Sequence, residues 1–450
     1  LFYDKALAVI SAIVLASCQA IFLITNDIRT DTILMSWVIL AVWQIAEWIQ
    51  SKKTIHFLLG AVAIGAGMVT KGPIALFVPL FAFGSHFVLQ RKFSYLFKPV
   101  YLLGLLVIVL VLIPMSIGLY QQYDLHPEKT VNGLKNVSGL KFFYWTQSFG
   151  RITGENVWNN NAPFSFLFEN LLWGMLPWTL LFISGLLNDL VQIIRKKMFV
   201  SENEEFITTG GFVLTYCSLG ISKYQLPHYI YVVLPLIAII TARMIYAVFW
   251  QNRYSFLKQI LVPIQWIVCL VLLVAPFLIL HYSFPSHSIW PWLIPAATAV
   301  AVLLVLLKNN FTKKIFTVSL AVIIGLNFFL SLWFYPQVLQ YQAGNVAGRF
   351  IYKQKVERGK FFIYKFQGNN VALHFYSRRI VSTVDSINNL SAETYLLTME
   401  EGLQDLKTSG RSFEIAKQGL DYHVTALTGN FLNKRTREQQ CRKYYILKLN

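Results

Sequence analysis

The chain has 450 residues, of which 56% are hydrophobic and only 13% charged, and it carries a formal net charge of +18. Soluble domains average about a quarter charged residues, and single cores stop growing near about 250–300 residues, so this composition excludes one soluble globular domain and predicts a protein embedded in lipid. The four cysteines, Cys18, Cys217, Cys269 and Cys441, have no CxxC spacing, which argues against a disulfide framework and a zinc site.

Apolar runs long enough to cross a bilayer, which takes about 20 residues, recur along the chain. Eleven are predicted as transmembrane helices: 6–25, 32–50, 55–70, 74–90, 99–121, 171–194, 209–222, 227–249, 259–283, 290–307 and 314–335. The third and the seventh are short, and only a few residues separate each from its successor.

The Lys and Arg residues of the short loops predict how these helices are oriented. Thirteen follow even-numbered helices: Lys52, Lys53, Arg91, Lys92, Lys98, Arg195, Lys196, Lys197, Arg253, Lys258, Lys308, Lys313 and Lys314. Only Arg29, Lys71 and Lys223 follow odd-numbered ones. The even-numbered ends are therefore predicted to be cytoplasmic and the other loops to face outward. Nucleic-acid binding is not predicted, because the basic residues follow this membrane pattern.

Two outward segments are long. Residues 122–170 are polar and aromatic, which predicts an ordered lid or an interfacial helix pair. In the C-terminal part, 359–366, 379–385, 393–399 and 443–449 are predicted as strands, and 369–376 and 400–410 as helices. We therefore predict an α-helical polytopic domain over 1–339 and an extracytoplasmic α/β domain over 340–450.

Ionisable residues gather at the outward helix ends. In the turn 26–32, Asp27 is typical of a solvated interfacial charge. Asp31 opens a helix, which fits either an N-cap or a carboxylate directed at a hydroxyl or a metal. Lys71, in T-K-G-P, is either an anchor to lipid phosphates or a ligand for an anionic group.

Two further motifs lie on the same side. In S-K-Y-Q-L-P-H-Y, Lys223, Tyr224, His228 and Tyr229 surround a proline turn, and this combination is less easily explained as aromatic anchoring than a lone tyrosine would be. Arg151 and Glu155 are four residues apart, which indicates either a helical ion pair or an arginine that binds phosphate. Together the motifs favour a phosphate-bearing ligand that enters from the lipid.

The order of these motifs is similar to that of a known group. R-T-D, T-K-G-P, F-G-R-I-T-G-E, P-F…N-L-L-W-G-M-L-P-W and S-K-Y-Q-L-P-H-Y follow one another as in glycosyltransferases of the GT-C fold. Over about residues 5–335 the chain resembles the aminoarabinose transferases that act on lipid A, related to dolichyl-phosphate-mannose protein mannosyltransferases. The resemblance implies an enzyme of the bacterial inner membrane. It would transfer a sugar, on the periplasmic side, from a polyprenyl-phosphate carrier to a lipid, glycan or protein acceptor.

The resemblance also implies roles for individual residues. They are a catalytic Asp31, the phosphate-binding Lys71, Arg151 and Lys223, and the substrate-binding Arg29, Glu155, Tyr224, His228 and Tyr229. No cofactor is required; a divalent metal is possible, although N-N-N-A-P stands where relatives often have a His before the Pro. Thirteen helices are expected in the family, so two helices and a loop with an Asp-Glu pair are expected before Leu1.

The expected mechanism is mainly electrostatic, because a lipid phosphate already leaves readily and preorganised cations stabilise its developing charge. Asp31 would act as a general base toward a hydroxyl, or as an orienting residue if the acceptor is a phosphate. Aromatic residues near Trp173 and Trp178 are expected to line a groove for the lipid tail.

Two other classes remain open. A transporter or flippase would show symmetric halves and ionisable residues at the midplane, whereas here the charges lie at one face. A non-catalytic scaffold would use residues 340–450, which hold 17 Lys and Arg against 9 Asp and Glu, to bind anionic lipid or glycan.

Overall fold

We describe the protein from a computed structural model. The structure describes residues 2–27, 29–131, 133–155, 158–307, 311–368, 370–388 and 390–450. Lys308, a predicted cytoplasmic cation, and Asn369, the first residue of a predicted helix, lie outside these ranges.

The chain divides into two compact units, which are described separately. The first consists of Leu1–Cys269 and Lys308–Ile323, and the second of Leu270–Leu307 and Ile324–Asn450. The boundary that composition places at residue 340 stays a prediction.

The first unit is helical. Its helices are α1 (Lys5–Ser17), α2 (Gln19–Thr25), α3 (Asp31–Ser51), α4 (Thr54–Lys71), α5 (Ile74–Leu89), α6 (Val100–Leu119), α7 (Phe166–Gly174), α8 (Thr179–Arg195), α9 (Ile207–Gly220) and α10 (Leu234–Ile245). Shorter helical segments are Phe93–Leu96, Tyr120–Asp124, Gly139–Lys141, Phe142–Thr146, Gly150–Thr153, Pro227–Val233 and Tyr246–Trp250. Helix α11 (Ser255–Leu278) begins in this unit and ends in the second.

Local chemistry explains several helix ends. Asp4 caps α1, because its Oδ1 accepts a hydrogen bond of 2.9 Å from the backbone N–H of Leu7. The predicted helix 6–25 is in fact two helices that meet at Cys18 with a bend of 56°. Helix α4 ends where Gly72 adopts a φ of +84°, a conformation that favours glycine. Pro73 precedes α5 as its N-cap residue, where its missing N–H removes no helical hydrogen bond.

Small residues let these helices approach closely. A Cβ added at Gly67 of α4 would lie 2.7 Å from the Cβ of Ala75 in α5, so the two helices touch only because glycine is there. Such contacts are typical of helices packed in lipid, where close van der Waals packing replaces the hydrophobic effect as the driving force. The α4–α5 contact fixes the turn that follows Lys71.

The structure confirms an α-helical polytopic membrane protein. Among the described residues, seven helical segments are long and apolar enough to cross a membrane, or eight if α1 and α2 form one span. Large apolar side chains point outward from them; Leu102 of α6, for example, is 73% exposed, which suits contact with lipid. The remaining predicted spans correspond to shorter helices, among them α5 and α9, and the run 171–194 is divided between α7 and α8.

The second unit combines helices with a small sheet. Its helices after α11 are α12 (Trp290–Leu307), α13 (Phe311–Phe329, begun in the first unit), α14 (Ala343–Lys353), α15 (Asn370–Ser377) and α16 (Glu400–Thr408). Its strands are β1 (Phe361–Ile363), β2 (Tyr395–Met399), β3 (Phe413–Asp421) and β4 (Arg442–Leu449). Short helical segments are Ile279–Ser283, Leu330–Phe334, Tyr335–Val338, Leu339–Tyr341, Gly429–Leu432 and Arg437–Gln440.

The sheet has the order β1-β2-β4-β3. Strand β1 pairs with β2 in parallel, and the other pairs are antiparallel. One face packs against α14, whose Ala343, Ala347 and Ile351 lie in the same buried cluster as Ile363 and Ile446. The α/β character predicted for this region is therefore confirmed.

One local prediction is wrong, and two elements of the second unit were not predicted. The run 379–385 was predicted as a strand, which is wrong, because only one parallel bridge, between Thr383 and Ile363, forms there. Strand β3 was not predicted, since as an exposed edge strand it is rich in polar residues. Helix α14 was not predicted either; its buried face is built largely from alanine and glycine, so the segment is only weakly hydrophobic as a whole.

Candidate functional site

Four separate segments of the first unit converge on one cleft with a cavity volume of about 140 Å³. They are the start of α3, the α4–α5 turn, the segment 147–151, and the end of α9 with the turn that follows it. The cleft is lined by Asp31, Leu34, Lys71, Pro73, Ile74, Phe77, Gln147, Ser148, Phe149, Arg151, Ser218, Leu219, Ser222 and Tyr229. Each of the four motifs singled out in the sequence contributes to this lining or touches a residue that does.

Asp31 and Lys71 form an ion pair at the floor of the cleft. Asp31 is the first residue of α3 and only 4% exposed, and the ammonium group of Lys71, the last residue of α4, donates to its Oδ1. The Lys71 Nζ also lies 5.0 Å from the centre of the Tyr229 ring, within cation–π range. The sequence left open whether Lys71 anchors the protein to lipid phosphates, and the structure instead turns its side chain toward the cleft.

His228 lies on the other side of the same carboxylate. Its Nε2 is 3.9 Å from Asp31 Oδ2, and Arg29 Nη1 donates to its Nδ1 at 3.1 Å. The guanidinium of Arg29 in turn pairs with Asp27. Asp27 therefore contributes to a charge network and is more than an isolated interfacial charge.

Arg151 is the cation in the cleft with the least compensation. It donates to the hydroxyl of Tyr229, and its guanidinium carbon lies 5.4 Å and 5.2 Å from the ring centres of Tyr224 and Tyr229. Its Nε is buried, and none of the described residues accepts a hydrogen bond from it. Within the described part of the chain no carboxylate forms an ion pair with Arg151. A buried donor of this kind is costly unless something accepts from it.

Two residues that the sequence analysis did not single out hold this arrangement together. Asn160 Nδ2 donates to the backbone carbonyl of Gln225 at 2.6 Å, and its Oδ1 accepts from the Gln225 N–H at 3.1 Å. The buried Gln225 side chain donates to the carbonyl of Gly220 at 2.9 Å. The Lys223 N–H also donates to the Arg151 carbonyl at 3.0 Å. These bonds hold the loop 122–170 against the turn after α9. No local sequence pattern predicts a contact between residues more than 60 positions apart.

Lys223 and Glu155 occupy the rim of the site. Lys223 is exposed and lies outside the described cleft lining, with its Nζ 2.8 Å from where a Cβ on Gly154 would be. Glu155 accepts from the indole N–H of Trp145 at 3.1 Å. The alternative of a helical Arg151–Glu155 pair is wrong, because the helical segment ends at Thr153 and Gly154 follows with a φ of +87°.

The tail groove predicted near Trp173 and Trp178 stays a prediction for Trp173, which is 38% exposed, but Trp178 cannot line it. Trp178 is 1% exposed, and its indole N–H donates to Ser17 Oγ at 2.9 Å, so it belongs to the packed core. The apolar surface beside the cleft is instead provided by Leu34, Ile74, Phe77 and Phe149. Among the described residues there is no group of three or more His, Cys, Asp or Glu side chains that could hold a metal ion, and the divalent metal stays a prediction.

Comparison with known proteins finds similarity to the group of proteins that the order of the motifs indicates. Residues 1–117 match the family model described as dolichyl-phosphate-mannose-protein mannosyltransferase. The undecaprenyl phosphate-alpha-4-amino-4-deoxy-L-arabinose arabinosyl transferase of Edwardsiella ictaluri is 28% identical over 241 residues, or 52% of this chain and 39% of that protein. The protein of the same name from Wigglesworthia glossinidia brevipalpis is 25% identical over 295 residues, or 64% of this chain and 48% of that protein. The chain thus spans less than half the length of these curated relatives.

Solved structures show the same fold. Two crystal structures of ArnT from Cupriavidus metallidurans, one bound to undecaprenyl phosphate and one in the apo state, superpose with TM-scores of 0.61 and 0.63. Each match covers 98% of this chain and 79% of the other, at 15% and 14% identity. The resemblance to the aminoarabinose transferase branch of the GT-C fold, predicted from the motifs, is confirmed.

Proposed function

We propose that this chain forms the carrier-phosphate site of an integral-membrane glycosyltransferase. The enzyme moves a sugar from a polyprenyl-phosphate carrier to a lipid, glycan or protein acceptor at the periplasmic face of the bacterial inner membrane. The observation that carries the proposal is Arg151, a cation that lines an apolar-walled cleft, lies against Tyr224 and Tyr229, and has no carboxylate partner among the described residues. A phosphate oxygen is the acceptor that such a guanidinium binds best.

The charges of the cleft suit departure of a lipid phosphate. Asp31 already neutralises Lys71, so the uncompensated positive charge of the lining is that of Arg151. When the glycosidic bond breaks, negative charge develops on the phosphate, and cations held in place stabilise it without reorganisation. Lys71 adds a second cation whose position is fixed by its carboxylate partner, and Lys223 raises the positive potential at the rim.

Asp31 acts mainly by positioning Lys71. One of its oxygens accepts from the lysine, and the other lies 3.9 Å from His228 Nε2, beyond hydrogen-bond distance. A carboxylate that is held in an ion pair suits an acceptor that needs no strong base, such as a phosphate group, better than one that must first lose a proton. A phosphate of lipid A is therefore the acceptor we expect.

The carrier's tail would lie along the apolar wall of the cleft. Leu34, Ile74 and Phe77 supply that wall beside the ion pair, so a phosphate and a prenyl chain could be bound together. Given the names of the relatives, undecaprenyl phosphate-linked 4-amino-4-deoxy-L-arabinose is the donor to be tested first.

Substitutions in the full-length protein test this proposal. We expect Arg151→Ala and Lys71→Ala to lower transfer from a labelled undecaprenyl-phosphate sugar by about 10²–10³-fold each, the usual effect of removing one electrostatic contact in a transition state. Lys223→Ala should have a smaller effect, because that side chain lies at the rim. Lys141→Ala removes an exposed lysine of the same loop and should leave transfer unchanged.

The rival classes predict other outcomes. A flippase would move the labelled carrier across the bilayer without cleaving it, and a scaffold would leave it intact. Full transfer by both Arg151→Ala and Lys71→Ala, with normal membrane insertion, would contradict the phosphate site. Neither rival is favoured by the comparisons.

A further inference from the structure

An apolar crevice separates helices α5 and α6 of the first unit. It has a volume of about 320 Å³, and its lining comes from α3, α4, α5, α6 and the segment Phe93–Leu96. Leu80 of α5 and Leu105 of α6 belong to this lining and are 55% and 51% exposed, so the crevice opens where lipid contacts the two helices. Phe57 and Phe83 lie buried at its floor. We call this space the α5–α6 crevice.

Small residues hold α5 and α6 against α4 and leave the space between them unfilled. A Cβ added at Gly104 of α6 would lie 2.6 Å from the ring of Phe57 in α4. One added at Gly67 of α4 would lie 2.7 Å from Ala75 of α5. Both helices therefore pack closely on α4. By contrast, a Cβ added at Gly84 of α5, which lines the crevice, meets no described atom within 4 Å.

Two lysines meet at the end of the crevice where α3 ends and α6 begins. The ammonium group of Lys52 donates to the hydroxyl of Tyr95 at 2.8 Å, and that of Lys98 lies 4.0 Å from the centre of the same ring. The Lys98 Nζ is also 6.0 Å from the ring centre of Trp48. The ring centres of Tyr95 and Phe87 are 5.0 Å apart. Because Trp48 and Phe87 line the crevice, the two cations and the apolar space form one continuous surface.

The charges of these two lysines are not neutralised by the protein. Among the residues that the structure describes, Lys52 and Lys98 form no ion pair with a carboxylate, although Lys92 of the same loop pairs with Glu202. The positive-inside pattern explains why basic residues lie at this face. It does not explain why two ammonium groups gather on one tyrosine ring, since like charges repel each other. An anion between them would remove that repulsion.

The length of the crevice fits one leaflet of a bilayer. Its lining extends along α5 from Leu76 to Phe87, which is about 16 Å at 1.5 Å per residue. Half of a hydrocarbon core of about 30 Å is about 15 Å. The lysines lie at the Phe87 end, whereas α5 begins at the turn that borders the cleft. They therefore belong to the opposite membrane face, which is predicted to be cytoplasmic.

We propose that the α5–α6 crevice binds an anionic phospholipid of the leaflet at this face. The phosphate of the headgroup lies between Lys52 and Lys98 and accepts charge-assisted hydrogen bonds from both ammonium groups. One acyl chain fills the crevice along α5, and the other stays in the bilayer. Basic pockets between transmembrane helices on the cytoplasmic side hold anionic lipids in this way. The proposal concerns the face opposite the cleft and holds whether or not the chain transfers a sugar.

Lipid titration of the delipidated full-length protein, followed by native mass spectrometry, tests the headgroup site. We expect dioleoyl phosphatidylglycerol to bind about tenfold or more tightly than dioleoyl phosphatidylcholine. Lys52→Gln/Lys98→Gln should remove this preference, because each basic residue near an anionic headgroup contributes about a factor of five. The control Lys197→Gln/Arg253→Gln removes the same charge from exposed positions at the same predicted face and should bind both lipids as the wild type does.

Filling the crevice tests the acyl-chain site separately. Gly84→Phe places a ring in the crevice, and we expect it to weaken phosphatidylglycerol binding by about tenfold or more, because the acyl chain loses its apolar contacts. Gly118→Phe in α6 is the matched control: its added Cβ also meets no described atom within 4 Å, but Gly118 does not line the crevice, so the affinity should not change. Arg151→Ala, which disables the cleft, should also retain the binding.

Four results would each overturn the proposal. They are equal binding of the two lipids by the wild type, an unchanged preference in Lys52→Gln/Lys98→Gln, an unchanged affinity in Gly84→Phe, and loss of phosphatidylglycerol binding in Arg151→Ala. The last result would mean that the lipid occupies the cleft. The lysine variant changes partly exposed side chains outside the core, so it tests the site even if Gly84→Phe does not fold.

Discussion

At the scale of single residues, the cleft contains two cations: Lys71, which is paired with Asp31, and Arg151, which has no carboxylate partner among the described residues. The side chain of Lys71 is 27% exposed to solvent and that of Asp31 only 5%. Leaving the carboxylate unpaired would therefore cost more free energy than leaving the ammonium group unpaired. Removing one partner of a buried pair leaves a desolvated charge, while removing both leaves none. The pair therefore has a structural role that can be separated from phosphate binding.

A double-substitution cycle separates these two roles. We expect Asp31→Asn and Lys71→Met each to lower the free energy of unfolding by up to about 3 kcal/mol, and the double variant to lower it by less than the sum. Transfer should be lost in all three, because none retains a positioned Lys71 ammonium. Melting temperatures in detergent measure the first effect and donor turnover the second. Additive losses of stability would mean that the two groups do not interact.

The sequence predicted much of this residue-level arrangement. Asp31, Lys71, Arg151 and Tyr229 were selected as candidates from four distant motifs, and all four line the cleft. Their distances could not be predicted, because they depend on tertiary contacts such as the one between Asn160 and Gln225. The same limit applies to Glu155, whose indole partner Trp145 lies ten residues earlier, in the short helical segment Phe142–Thr146.

At the scale of elements, the α4–α5 turn determines where the side chain of Lys71 lies. The break is visible in the sequence as Gly72-Pro73, and the structure places a close helix contact directly before it. Gly67 lies one helical turn before Lys71 and allows α5 to approach. Displacing α5 would therefore displace the ammonium as well.

Alanine at two glycines tests this geometry. Gly67→Ala places a Cβ 2.7 Å from that of Ala75, and we expect it to lower the free energy of unfolding by about 1–3 kcal/mol, as overpacking usually does, and to raise the donor KM. Gly84→Ala in α5 is the matched control, since no described atom lies within 4 Å of its added Cβ. It should be neutral or stabilising by up to about 1 kcal/mol. Equal stability of the two variants would contradict the role given to the α4–α5 contact.

The element predictions worked best where burial is continuous. Strands β2 and β4 are central and buried over most of their length, so their middle residues are largely apolar and they were recognised. Strand β3 is exposed along most of its length, and its stability comes from pairing with β4, a non-local contact that its own residues do not encode. Helix α1 shows the opposite error: apolar composition continues through Cys18, and composition alone cannot reveal a bend.

At the scale of the whole molecule, the orientation in the membrane decides which compartment the cleft faces. The count of basic residues predicts that the loop 122–170 faces outward and the loop after α8 inward. Arg151 belongs to the first of these loops, so the cleft opens on the same side. An outward cleft is required by the proposed use of a carrier at the periplasmic face.

Labelling of single cysteines tests that orientation. The background is Cys217→Ser/Cys441→Ser, since the other two native thiols, Cys18 and Cys269, are buried. Glu128→Cys and Lys197→Cys place exposed thiols on the two loops. We expect a membrane-impermeant maleimide to label Glu128→Cys in intact spheroplasts and Lys197→Cys only after the membrane is opened. The count of thirteen basic residues at the inward ends against three on the outward turns predicts the first result. The opposite labelling would mean that Arg29, Lys71 and Lys223 face the cytoplasm, and the proposal of a periplasmic site would then be wrong.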